Sequence, residues 1–238
     1  MFLSQYGAKM PVMKDRGKNQ LWHRIRGAVD GYAVELVRLI GESYSSDTVQ
    51  RAWAEFTSGS GEPFAGDDPH TELFFSWLFH RWSPSREKGN SVDDSSLYGV
   101  PPTRAYLDRS SSQLDPLLRR YLETCLATSP GFYQVFNCKP CVGFQARDVV
   151  TGEECEVSED LASTSLSDGE IMFAHLVTIE ETTMLEAISP LSFPPELKRH
   201  LLQLARSRML RRRAPPDLRE IYFVLAWPRL PKLATRIN

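Results

Sequence analysis

What this chain of 238 residues lacks narrows it first. No apolar run approaches the roughly 20 residues a membrane-spanning helix needs. The longest, LFFSWLF and IYFVLAW, are short and amphipathic in context, so no membrane crossing is expected. Residues 1–20 carry Lys9, Lys14, Arg16 and Lys18 but no apolar stretch followed by small residues. No secretory signal is read there, and a cytoplasmic location is expected. Four cysteines, Cys125, Cys138, Cys141 and Cys155, are too few for a disulfide scaffold and read as packed, reduced thiols. No glycine-rich loop cradles a phosphate, and no HExxH pair or nucleophile elbow is present. No cofactor is expected.

What is present belongs to a folded protein: 42% hydrophobic, 24% charged and 11% aromatic residues. At this length about 70% of the unfolded chain's surface is buried on folding. The pattern divides the chain into four parts. Residues 1–20 are polar and read as a flexible N-terminal arm. Residues 21–130 read as a helical region. It starts with LWHRIRGAVDGYAVELVRLI, in which Trp22, Ile25, Val29, Tyr32, Leu36 and Ile40 share one helical face and Gly41 supplies a stop. TVQRAWAEFTSG follows behind the N-cap candidates Ser45, Ser46 and Asp47. Then come the apolar HTELFFSWLFHRW and two further helices, the second starting at Pro116. Residues 83–103, rich in Ser, Gly and Pro, read as a long surface loop. Residues 131–193 alternate with period two and read as an antiparallel β module, a small barrel or sheet. Residues 194–238 read as basic C-terminal helices packing on the rest. The expected class is α+β, with no internal repeat.

The stretch NCKPCVGFQARDVVTGEECE, residues 137–156, looks most like chemistry. A structural zinc ion needs four ligands. Cys138, Cys141 and Cys155 with His175 are the one set the spacing offers, and no glycine knuckle surrounds the pair. A redox pair belongs at a helix N-terminus after a strand, whereas this pair lies between strand-like runs. The stretch therefore reads as thiols at a strand end, followed by a hairpin in which Asp148 and Thr151-Gly152 make the turn. No metal site is expected, and those four residues are the runner-up set.

The pattern Arg147-Asp148, Thr151-Gly152-Glu153, Val157, Ala162-Ser163, Leu166, Asp168-Gly169-Glu170, Ala174 and Leu176-Val177 resembles a group of uncharacterised bacterial proteins. Many of those carry a cysteine-rich SEC-C zinc motif elsewhere in the chain. The resemblance extends more weakly over residues 21–233. The SEC-C element itself, a Cys-x-Cys with a close His-Cys pair, is absent here. The resemblance thus brings neither zinc chemistry nor an assigned activity, and implies a cytoplasmic α+β protein.

Charge is the more informative signal. Residues 194–238 hold eleven Lys/Arg against three Asp/Glu, while residues 131–193 hold two against eleven. In KRHLLQLARSRMLRRR, leucines 201, 202, 204 and 210 with Ala205 and Met209 suit packing. Arg199, Arg206, Arg208, Arg211, Arg212 and Arg213 are left for solvent or a partner. One reading is a face for nucleic-acid phosphates or an acidic protein; the other is a helix lying on the acidic β module. The chain is expected to be a binding or adaptor protein. The alternative is an enzyme whose site assembles in space around His80, His175 and nearby cysteines or carboxylates.

Overall fold

Gly31, with φ 81°, divides the first helical stretch in two. α1 (Lys14–Val29) and α2 (Tyr32–Ser43) flank it, so the single helix expected from Trp22 to Ile40 is a pair, and Gly41 lies inside α2 rather than at its end. The space around Gly31 is open, and it is the left-handed backbone there, which glycine adopts freely, that favours this residue. The structure, a computed structural model, describes residues 14–59, 62–86, 92, 95–110, 114–212 and 217–226, with the backbone alone described at 14–19 and 208–212. α1 thus begins within the segment expected as an arm, and residues 1–13 lie outside the described residues, as do 87–91 and 93–94 of the expected loop.

α3 (Ser46–Phe56) is capped by Ser45, whose Oγ accepts from the Thr48 amide at 3.2 Å. α4 (Thr71–His80) is nearly encircled, burying Leu73, Phe74, Ser76, Leu78, Phe79 and His80. α5 (Pro102–Arg109) leads to α6 (Pro116–Ala127), which combines Pro116 in its first turn with an Asp115 cap accepting from Leu117 N at 2.7 Å.

Then the period changes. β1 (Gly131–Lys139), β2 (Gly143–Asp148) and β3 (Glu154–Ser158) form a meander. A one-turn helix, α7 (Ala162–Ser165), connects to β4 (Ile171–Ile179) and β5 (Thr182–Phe193). The strands close a barrel in the order β1-β2-β3-β5-β4. Pairing is antiparallel except where β3 meets β5 in parallel at Val157 and Thr183. α8 (Lys198–Arg212) and α9 (Leu218–Ala226) follow. The α+β architecture read from the sequence, helices before and after a small barrel, is the one observed. No helix among the described residues is long and apolar enough to cross a membrane.

The barrel interior holds Val135, Phe144, Ala146, Val157, Met172, Ala174, Leu176 and Leu185. Its outer wall on the β1 and β4–β5 side is as buried as its inside, because helices cover it: Phe132, Ile171, Phe173 and Phe193 pack with Phe56, Phe74, Leu78 and Tyr222. The Phe173 ring stacks on Tyr222 with centroids 4.9 Å apart. Each such buried aromatic contributes about 1.5–3 kcal/mol of transfer free energy, which fixes the helical layer to the barrel wall.

Two local features matter for function. The β2–β3 hairpin forms where Asp148 and Gly152 pointed: Asp148 Oδ1 accepts from Val150 N at 2.7 Å and Thr151 N at 2.9 Å, and Gly152 has φ 81°. Along β5, Ala187 pairs with His175 and Leu185 with Leu176, so Glu186 is an extra residue in the ladder. A bulge re-aims its side chain. Leu185 stays in the barrel core while Glu186 turns to the helices.

Candidate functional site

Glu186 is the centre of a polar cluster buried between barrel and helices, its side chain 7% exposed. Its Oε1 accepts from Tyr32 Oη at 2.6 Å and from His80 Nε2 at 3.1 Å; Oε2 accepts from Tyr121 Oη. Burial alone would raise this carboxyl, but the His80 and tyrosine donors outweigh it and hold it below its ordinary value. The carboxylate therefore stays ionised with its lone pairs satisfied, as an isolated buried charge could not be. The same burial, with Glu186 adding to it, pushes both phenols well up, so Tyr32 and Tyr121 remain donors.

A carboxylate only accepts, so His80 Nε2–H donates, and in the neutral ring Nδ1 accepts from Thr103 Oγ1, 2.9 Å away. Cys125 completes the cluster from α6, fully buried, its thiol pushed well up by burial and then by Glu186. Behind His80, ring centroids 6.0 Å apart, stands His175. Its nitrogens are held by Ser76 Oγ at 3.0 Å and Thr128 Oγ1 at 2.9 Å. Desolvation, and after it the neighbouring His80, lower its pKa to about 4, so the ring is neutral at physiological pH.

The structure thus brings together His80 and His175, the histidines expected to anchor a site in space, and adds a carboxylate and a cysteine. It does not make them a nucleophilic relay. Both nitrogens of each ring are occupied by groups other than Cys125. His80 and His175 are 1% and 0% exposed, so neither ring faces the solvent. Tyr32, Thr103, Tyr121, Cys125 and Glu186 escaped the sequence reading. One signal was available, a lone carboxylate inside the otherwise apolar strand TMLEAIS.

The cysteine set does not converge. Cys138 Sγ donates to Ser163 O at 3.3 Å, and Val142 N closes a turn on Lys139 O at 3.0 Å. Cys141 is exposed at the tip with φ 60°. Cys155 lies on β3, and burial raises its thiol. His175 is on the helix-covered wall. Among the described residues the one triple of ligand-type atoms within 4.8 Å of each other is His80, Cys125 and Glu186.

On α8, Leu201 and Ala205 are buried in the helix–barrel core, and Leu202 and Leu204 pack against it. Lys198 Nζ donates to Gln134 Oε1 on β1 at 2.8 Å. Arg199, Gln203 and Arg206 are exposed at i, i+4 and i+7, hence on one face. Neither arginine makes an ion pair among the described residues. The side chains of Arg208, Arg211 and Arg212, and Arg213 altogether, lie outside the described residues.

Other surfaces are less suited to anions. A recess of about 890 Å³ beside the outer face of β2 and β3 is bordered by Glu156, Asp160 and Asp168. A second recess, about 680 Å³, is bordered by Arg81 and Arg219. Both spend donors inside the protein: Arg81 Nη1 on Leu126 O and Thr128 O, and Arg219 on Glu55 O and Asp217 while stacked over Trp77. The chain matches no protein-family model, no curated protein and no solved structure.

Proposed function

We propose that this is a non-catalytic binding protein that engages the phosphate backbone of nucleic acid through the arginine face of α8. The observation that carries the reading is the exposure of Arg199 and Arg206 on one helical face, with no acidic partner among the described residues. Arginines paired to the acidic barrel would have nothing left to offer a ligand; unpaired ones release counterions when phosphates replace water. The run continues through Arg208, Arg211, Arg212 and Arg213. The acidic barrel face repels the same ligand, which confines contact to the α8 side. The resemblance to SEC-C-associated bacterial proteins, and a cytoplasmic setting, belong to this proposal and fit a role without chemistry of its own.

Fluorescence anisotropy with a labelled duplex and, separately, with a labelled polyglutamate peptide tests it. Salt-sensitive binding of the duplex supports the reading. Binding of the peptide alone replaces nucleic acid with an acidic protein as the partner, and binding of neither at low salt removes the proposal.

A further inference from the structure

We propose that His80, Cys125 and Glu186 are the protein ligands of a divalent transition-metal site of the zinc class. The three come from α4, α6 and β5, and their ligand atoms lie within 4.8 Å of one another. Bonds of about 2.0–2.3 Å put tetrahedral ligands about 3.3–3.8 Å apart, so side-chain shifts of about 1 Å bring the three to bonding distance and leave the fourth position to a water molecule. Nitrogen, sulfur and oxygen donors together select a borderline ion; magnesium and calcium take oxygen alone.

The surrounding hydrogen bonds are those a metal shell requires. Ligating imidazoles are oriented through their other nitrogen, and ligating carboxylates are themselves hydrogen-bonded. Thr103 Oγ1 lies 2.9 Å from His80 Nδ1, which leaves Nε2 facing the cluster. Tyr32 and Tyr121 donate to the two oxygens of Glu186. The bulge in β5 is what turns Glu186 toward the histidine and the thiol. On binding, the Cys125 thiol proton leaves to solvent. The imidazole proton moves from Nε2 to Nδ1, where the Thr103 hydroxyl changes from donor to acceptor, so charge and protons balance. Glu186 also borders an outer groove of about 620 Å³ with Arg26 and Glu159.

The proposal is independent of the arginine reading. Its test is a titration of the metal-free full-length chain with Co²⁺, followed by absorption, with Zn²⁺ competition for affinity. One equivalent should bind with a tetrahedral ligand-field spectrum and a thiolate-to-cobalt charge-transfer band. Cys125→Ser should abolish that band, whereas a Cys138→Ser, Cys141→Ser double variant should keep it. Thr103→Val, which alters a positioning residue only, should weaken binding about 10- to 100-fold. If Cys125→Ser fails to fold, the wild-type spectrum, the double variant and Thr103→Val still decide. No binding, a spectrum without a thiolate band, or loss of the band in the double variant overturns the site.

Discussion

His175 should make the protein acid-sensitive in a window that one substitution removes. The ring is fully buried between Ser76 and Thr128 and carries a pKa of about 4 against an ordinary 6.5. On acidification the unfolded chain takes up this proton first. The contribution to stability is complete above the unfolded value and is lost as pH falls toward the folded one. With these two values the loss between about pH 7.5 and about pH 4.5 is about 2.5 kcal/mol. Glu186, held below its ordinary value, adds loss of the same sign in more acidic solution, so wild type alone does not isolate the histidine. His175→Gln does, because an amide can donate and accept toward Ser76 and Thr128 without titrating. The variant should be less stable near neutrality by about 1–3 kcal/mol through imperfect pairing of those hydroxyls. Its urea-unfolding free energy should fall less steeply on acidification, so the two curves converge by roughly the calculated amount. Curves that stay parallel from neutral pH to acid would refute the buried, neutral imidazole.

Other expectations follow from single contacts. Tyr44 Oη is buried without a hydrogen-bond partner among the described residues, so Tyr44→Phe should leave the Tm unchanged or raise it; a clear fall would mean that the hydroxyl is satisfied after all. A Cβ at Gly143 would meet Val157 O at 2.1 Å, at a backbone φ of 142°. Gly143→Ala should therefore cost more than about 2 kcal/mol in chemical denaturation, and a near-neutral effect would contradict the close approach of β2 and β3.

The reach of the sequence can be judged residue by residue. The β2–β3 turn was legible because its cause is local: one aspartate, one glycine and their neighbours' amides. So were the cap at Ser45 and the place of Pro116 in the first turn of α6, although the Asp115 cap beside it went unread. The Glu186 cluster was not, since its members are separated by up to 154 residues and meet only when helices cover one wall of the barrel. The bulge hides it further, because strict alternation gives no warning that two successive residues of β5 leave the barrel interior. Gly31 was visible, but its left-handed backbone was not, and the apolar face on either side of it read as one helix. For α8 the packing residues Leu201 and Ala205 were read correctly, whereas the choice between a covered and an open arginine face needed the position of the helix on the fold.

That choice is where the functional account is most exposed. The direct measurement is the salt dependence of duplex binding by wild type and by the Arg199→Gln, Arg206→Gln double variant, with melting of both followed in parallel. The account predicts weaker binding, a slope of log K against log salt smaller by about 0.9 for each lost phosphate contact, and an almost unchanged Tm, because exposed charges contribute at most about 1 kcal/mol each. An unchanged affinity and slope with a lowered Tm would contradict it, making the arginines structural.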